Sequence, residues 1–139
     1  MNITIIDGQG GQLGAQLVKE ISAQFPFSNL TAIGTNAVAT AAMIKAGAKN
    51  AATGENPVVV ACRKSNVIIG PVGIVIADSL LGEVTEKMAL SVARADATRI
   101  LIPMNRCDNL VAGVQNLNTS ALIADAMLKL GAVIGGKNA

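Results

Sequence analysis

The chain has 139 residues, of which 51% are hydrophobic and 14% are charged, and its formal net charge is +2. This length predicts one domain over residues 1–139 with a substantial buried core. The charged residues are few and scattered, with no basic run that would neutralise a row of phosphates. We therefore expect no nucleic-acid partner.

The missing residue types exclude several chemistries. The chain contains no His, Tyr or Trp, which excludes histidine bases, histidine metal ligands and tyrosine proton donors. Cys62 and Cys107 are too few and too far apart for a zinc site or a disulfide framework, so we expect no metal site.

Composition also bears on environment and assembly. The chain opens on a strand without a basic leader, and its longest apolar run is interrupted by Gly, Pro and Asp78. We expect a cytoplasmic protein without a membrane partner. So little charge cannot cover the surface of a small domain, which predicts a homo-oligomer that buries apolar surface.

The first half of the chain alternates strand and helix patterns. Strands are predicted over 3–6, 30–33 and 51–53, with helices over 11–24, from Asn36 to about 46, and over 58–64. The second helix is predicted to bury Val38 and to end at a Gly47 cap. By composition 58–64 fits a helix or a strand, and Pro57 favours a helix with Asn56 as its N-cap and Pro57 at its first position.

The second half continues this alternation. Strands are predicted over 67–69 and 99–103, with a further edge strand over 110–114. A short apolar helix is expected over 74–80, followed by a helix over 86–95 that Thr85 caps. A last helix, capped by Asn118 or Thr119, is predicted to end at Gly131. Together these elements predict an α/β fold, a Rossmann-like or flavodoxin-like three-layer sandwich with about five mostly parallel strands.

A glycine-rich turn joins the first strand to the first helix. A strand, a glycine turn and a helix N-terminus in that order form an anion-binding site, because free N–H groups point at the ligand. Ligands of such sheets bind at the carboxyl ends of the strands. The residues predicted to bind the cofactor there are Asp7, Gly8, Gln9, Gly10, Gly11, Gln12, Leu13, Gly34, Thr35, Asn36, Gly70 and Pro71.

The spacing of Gly8, Gly11 and Gly14 resembles the loop of extended short-chain dehydrogenases and sugar-nucleotide epimerases. This resemblance implies a nucleotide of the NAD(P) type. The chain departs from that family at the end of the second strand, where Gly34-Thr35-Asn36 contains no acid to hold the adenosine ribose. It also has no Tyr, so the oxidoreductase chemistry of the family is not carried over.

A second resemblance covers nearly the whole chain. The blocks at 6–11, 34–40, 53–56 and 70–83, with 102–107, are similar to a family of short uncharacterised bacterial proteins, a domain of unknown function. This resemblance implies a Rossmann-like fold and no known reaction.

Four acidic side chains and one cysteine are candidates for a role at the site. Asp7 is interpreted as a brace for its own glycine loop, with a Mg²⁺-linked role as the alternative. Asp78 lies in an apolar stretch and, if it is buried, is the first candidate for a general acid or base, with Glu83 second; the alternative, which is favoured, is a capping or subunit-interface role. Cys107, beside Arg106, is a candidate low-pKa thiol or a free structural cysteine. Glu55 is interpreted as a charge that stabilises a helix start, with a position facing the ligand as the alternative.

The leading functional hypothesis is a small domain that binds NAD(P) or another adenine nucleotide. One alternative is an enzyme on a small phosphorylated metabolite, with Asp78, Glu83 or Cys107 as catalytic residues. The other is a non-catalytic module that senses a ligand or binds a partner.

Overall fold

The computed structural model describes residues 1–104, 108–115 and 117–136. Five strands and five helices alternate along these residues, with a short 3-10 helix after the fourth strand. In chain order the elements are β1 (Asn2–Asp7), α1 (Gln12–Gln24), β2 (Asn29–Gly34), α2 (Ala37–Lys45), β3 (Asn50–Thr53), α3 (Glu55–Lys64), β4 (Val67–Pro71), the 3-10 helix (Val72–Val75), α4 (Glu86–Arg94), β5 (Thr98–Ile102) and α5 (Thr119–Ile134).

The five strands form one parallel sheet in the order β3-β2-β1-β4-β5. This confirms the predicted α/β class and the five-stranded sheet of a Rossmann-like or flavodoxin-like sandwich. The direction of the strand order reverses between β1 and β4. From β1 the chain proceeds through β2 and β3 to one edge of the sheet, and β4 and β5 then extend to the other edge. A topological switch point of this kind lies beside the glycine loop, where doubly wound sheets bind their ligands.

Helices cover both faces of the sheet. One apolar cluster joins α1, α2 and α5 to the sheet, and a second joins α3 and α4 to its other face. All five residues of β4 are buried, as expected for a central strand covered on both sides. The predicted stripe of α5 is buried as predicted, at Ile123, Ala126, Met127 and Leu130.

Local capping chemistry places several helix starts correctly. The side chains of Asn36, Thr85 and Asn118 accept hydrogen bonds from backbone N–H groups three residues later. The predicted start of α3 is wrong, because Gly54, with φ of 105°, precedes a helix that begins at Glu55. Pro57 therefore lies in the first helical turn, where the missing N–H has no partner to lose.

Three other elements differ from the predictions. The predicted helix over 74–80 is wrong, because a 3-10 helix ends at Val75 and the chain then has positive φ values of 67° at Asp78 and 55° at Leu80. Residues 110–114 do not form a strand. These residues pair with no strand of the sheet, and Leu110 is 94% exposed.

The end of α5 was also predicted wrongly. The helix passes through Gly131 and continues to Ile134. A glycine inside a helix costs about 1 kcal/mol relative to Ala, and the last turn packs Val133 and Ile134 against the core. That packing outweighs the local preference to end the helix.

Large apolar side chains remain on the surface of this chain. Val38, predicted to be buried, is 67% exposed, because α2 turns Ala39, Thr40 and Met43 inward instead. Leu81 is 96% exposed. The homo-oligomer stays a prediction, which sedimentation of the purified protein would test.

Candidate functional site

Three loops meet at the carboxyl edge of the sheet beside the switch point. They are the β1–α1 loop (residues 8–11), the β2–α2 loop (residues 35–36) and the β4–α4 loop (residues 72–85). The last strand pair of β1 and β2 is Asp7 with Gly34, and the backbone N–H of Thr35 donates to the carbonyl of Asp7 at 2.9 Å. Parallel pairing therefore brings the first two predicted ligand loops side by side.

Asp7 holds the glycine loop from within. Its carboxylate is buried and accepts hydrogen bonds from the backbone N–H of Gly8 at 2.8 Å and of Gly14 at 2.7 Å. Burial raises the pKa of Asp7 and the charge of Glu83 adds to this, while the two backbone hydrogen bonds act to lower it. The structure thus gives Asp7 the bracing contacts inferred from the sequence.

Glu83 joins all three loops through one carboxylate oxygen. Its Oε1 accepts from the backbone N–H of Gln9 at 2.9 Å, from Oγ1 of Thr35 at 2.8 Å and from Nδ2 of Asn36 at 2.5 Å. Partial burial acts to raise the pKa of Glu83, but these three hydrogen bonds together bring it below its ordinary value. Glu83 is therefore a charged, oriented group at neutral pH.

The contact of Glu83 with the ends of β1 and β2 was not predicted. The sequence indicates Glu83 only as a candidate general acid or base, and the end of β2 carries no acid of its own. The sequence did indicate that these three loops share one edge of the sheet, because the loops that follow parallel strands all emerge at the same edge. The partners lie 47 to 74 residues away in the chain, so no local pattern names them.

Two glycines of the β1–α1 loop, Gly8 and Gly11, leave no room for a side chain, whereas Gly10 does. A Cβ at Gly8 would lie 2.4 Å from Oγ1 of Thr35, and Gly11, with φ of 73°, would place a Cβ 2.7 Å from Cα of Ala39. A Cβ at Gly10 would meet no atom of the described residues within 4 Å, and Gly10 does not have a positive φ. The backbone of Gly10 is therefore open to a ligand.

The N-terminus of α1 has free donors next to Gly10. The first helical residues are Gln12, Leu13 and Gly14, and the N–H of Gly14 is taken up by Asp7. Within the described residues, the N–H groups of Gln12 and Leu13 have no hydrogen-bond partner. Such groups, aligned with the positive end of the helix dipole, are suited to bind an anion.

The β4–α4 loop is tied down at a second point. Oγ1 of Thr85 donates to Oε2 of Glu55 at 2.6 Å. Glu55 is the first residue of α3, where a negative charge is favourable at the helix N-terminus. The loop therefore spans from the start of α3 to the ends of β1 and β2.

Asp78 is not the buried acid that the sequence suggested. Its side chain is exposed, and its backbone serves the loop by donating to the carbonyl of Val84 at 2.7 Å. The physical reason for proposing it as a general acid or base, a carboxylate desolvated in an apolar stretch, is therefore wrong. Cys107, the third catalytic candidate, lies outside the described residues.

The remaining predicted ligand residues serve packing at the end of the sheet. A Cβ at Gly34 would lie 2.2 Å from Oγ1 of Thr40, and one at Gly70 would lie 2.2 Å from the carbonyl oxygen of Ile6. Pro71 is buried at the end of β4. These positions require glycine or a buried side chain for reasons internal to the fold.

A groove of about 630 Å³ lies elsewhere, between the edge strand β5 and α5, where Leu101, Leu122 and Val133 are among its lining residues. None of the predicted ligand residues lines it. Within residues 1–104, 108–115 and 117–136, no three His, Cys, Asp or Glu side chains are grouped to hold a metal ion. In the same part of the chain, no helix is both long and apolar enough to cross a membrane.

Comparison with known proteins agrees with the broader of the two resemblances. No curated protein matches the chain. One family model, described as a domain of unknown function, matches residues 2–135, which is almost the entire sequence. The chain is therefore a member of the DUF3842 family of domains of unknown function.

Proposed function

We propose that this protein binds a nucleotide at the switch point, with a phosphate group on the N-terminus of α1. The observation that carries this proposal is the pair of unpartnered N–H groups at Gln12 and Leu13, in the part of the chain that is described, beside the open backbone of Gly10. In dinucleotide-binding loops a glycine likewise lets the backbone approach the pyrophosphate. Gly10 would serve this purpose here, although it lies between the Gly8 and Gly11 of the spacing that resembles short-chain dehydrogenases. The resemblance of the loop to that of short-chain dehydrogenases supports the same ligand class.

The negative charges near the loop do not prevent this binding mode. Asp7 directs its carboxylate at the N–H groups of Gly8 and Gly14, and Glu83 directs one oxygen at the donors of Gln9, Thr35 and Asn36. Among the contacts of the described residues, neither carboxylate accepts from the N–H groups of Gln12 or Leu13, so these two donors stay available to an anion. Backbone dipoles contribute only about 0.3–1 kcal/mol each at exposed positions, so we expect modest affinity.

The proposal is a binding function without an assigned reaction. The enzymatic alternative named Asp78, Glu83 or Cys107 as catalytic residues. The exposed position of Asp78 removes the environment that would make it a general acid or base, and Cys107 lies outside the described residues. Glu83 is held by three donors and has a pKa below its ordinary value, which favours a fixed charge over a proton carrier.

Binding is best tested with a fluorescent nucleotide, because the chain has no Trp or Tyr to contribute background. We expect ADP and NAD⁺ to bind and to raise the melting temperature. A ligand present at about ten times its Kd stabilises by about 1.4 kcal/mol, or about 5 °C for a chain of this size. If neither ligand bound or shifted the melting temperature at millimolar concentration, the proposal would be wrong.

The Gly10→Ala variant tests the location of the site. The added methyl group meets no atom within 4 Å in the part of the chain that the structure describes, so stability is expected to stay the same or rise by about 0.4–1 kcal/mol. Affinity for ADP is expected to fall at least tenfold, because the methyl group occupies the approach to the helix N-terminus. Gly131→Ala, whose nearest neighbour is Phe25 at 3.7 Å, makes the same chemical change far from the loop and is the matched control. Equal ADP affinity in the Gly10→Ala variant and the control would place the ligand elsewhere.

A further inference from the structure

We propose that Glu83 is the ribose-binding acid of this site and that the ligand is a ribonucleotide with both ring hydroxyls free. This inference rests on the proposed nucleotide-binding function and names the class of nucleotide. In doubly wound folds an acidic side chain near the end of the second strand holds the 2′-hydroxyl of the adenosine ribose. The residues that follow β2 in this chain, Thr35 and Asn36, are neutral.

The structure places a carboxylate at that position by another route. Glu83 belongs to the β4–α4 loop, yet its Oε1 bonds to the side chains of both Thr35 and Asn36. A carboxylate therefore lies beside the end of β2 in the fold, although the sequence that follows β2 contains no acidic residue.

The second oxygen of Glu83 is available to a ligand. All three hydrogen bonds of this side chain go to Oε1, and Oε2 has no partner among the residues that the structure describes. The residue is half-buried, so Oε2 can be reached from solvent while Oε1 fixes the plane of the carboxylate. A charged acceptor held in one orientation suits a pair of neighbouring hydroxyl groups.

One ligand can contact both Glu83 and the N-terminus of α1. The N–H of Gln9 donates to Glu83, and three residues later the N–H of Gln12 has no acceptor among the described residues. Three residues span at most about 10 Å. Between them lies Gly10, the open position of the loop. A ribose at Glu83 and its phosphate at the helix would therefore lie along one continuous path.

The charge of Glu83 also determines which nucleotides are excluded. A carboxylate accepts hydrogen bonds from hydroxyl groups but repels a phosphate on the same ribose oxygen. The side chain is ionised at neutral pH, because its hydrogen bonds keep its pKa low. The inference therefore predicts preference for NAD⁺ over NADP⁺ and for ADP over 2′-deoxy-ADP.

The experiment measures the affinity of these four ligands for the wild-type protein and for Glu83→Gln. Wild type is expected to prefer ADP over 2′-deoxy-ADP, and NAD⁺ over NADP⁺, by about tenfold or more, as expected for hydrogen bonds to a charged group. The Gln side chain can still accept from Gln9 and Thr35, so the loops should stay in place while both preferences fall towards unity. Glu20→Gln, on the exposed face of α1, is the matched control and should keep both preferences.

Each other outcome has a definite meaning. Equal wild-type affinity for ADP and 2′-deoxy-ADP would overturn this inference while leaving nucleotide binding intact. Tighter binding of all four ligands by Glu83→Gln would also overturn it, because the carboxylate would then be a plug that competes with the ligand. No binding of any of the four by wild type would overturn the proposed function itself. The wild-type comparisons decide the question even if the variant does not fold.

Discussion

Replacement of Asp7 tests how the candidate site is held together. The carboxylate is only 3% exposed, and it accepts hydrogen bonds from the N–H groups of Gly8 and Gly14 at 2.8 and 2.7 Å. In Asp7→Ala both donors lose their acceptor inside the protein. A buried donor without a partner costs about 1–3 kcal/mol, so the two together cost about 2–6 kcal/mol.

A part of this loss is offset, because the variant no longer buries a charge. We therefore expect the free energy of unfolding to fall by about 2–4 kcal/mol. The entropy of unfolding is about 2.1 cal/mol/K per residue, or about 0.3 kcal/mol/K for 139 residues. The melting temperature should then fall by about 7–14 °C. Asp7→Asn should lie between wild type and Asp7→Ala, because its amide oxygen can accept from one of the two N–H groups.

The assay is thermal and urea unfolding followed by far-ultraviolet circular dichroism. Asp125→Asn removes an exposed carboxylate that pairs with Lys129, and as the control it should change stability by no more than about 0.5 kcal/mol. A melting temperature of Asp7→Ala equal to that of the control would refute the reasoning, since the two buried hydrogen bonds would then contribute nothing.

The pH dependence of these variants gives an independent check with a definite sign. Burial raises the folded pKa of Asp7 above 3.8, so the folded state holds its proton to higher pH than the unfolded state. The contribution of Asp7 to stability is then complete below about pH 3.8 and declines as pH rises through the raised folded pKa. The stability advantage of wild type over Asp7→Asn should therefore shrink as pH rises through this window. An advantage that grew over the same range would mean that the pKa of Asp7 is lowered instead.

Three further predictions concern positions outside the loop itself. Gly70→Ala should lower the free energy of unfolding by about 3 kcal/mol or more, because its Cβ would lie 2.2 Å from the backbone oxygen of Ile6 and would force β1 and β4 apart. Urea unfolding measures this change, and a urea midpoint equal to that of wild type would contradict it. Leu81→Asn should raise the melting temperature by about 2–3 °C, because Leu81 has φ of 56° and Asn tolerates this left-handed region better. Leu81 is 96% exposed, so the change removes no packing. A lower melting temperature would show that the backbone at Leu81 is not strained. Cys62 should react slowly with iodoacetamide at about pH 8 until the protein is unfolded, because burial raises the pKa of its thiol to about 11, and mass spectrometry of the Cys62 peptide in native and urea-treated protein would check this.

Local patterns in the sequence were sufficient for the class of fold. The strand at 67–69 is apolar throughout, as a strand covered on both faces must be, and β4 is buried along its length. The caps at Asn36, Thr85 and Asn118 were predictable because the side chain and the N–H that it binds lie three residues apart. Alternation of these strands and helices then determines a parallel sheet, and with it the edge at which the glycine loop emerges.

Contacts between distant residues decided the rest. Glycine often ends a helix, so the local sequence predicts that α5 ends at Gly131. The helix instead continues to Ile134, because Val133 and Ile134 pack against the core. The stretch around Asp78 is apolar enough for a helix, yet it folds as an irregular loop whose acid faces solvent. The acid of the candidate site is Glu83, which reaches Gln9 across 74 positions of the chain. A sequence specifies caps and periodicity within a few residues, whereas only the folded sheet determines which loops meet, because that depends on strand order and register.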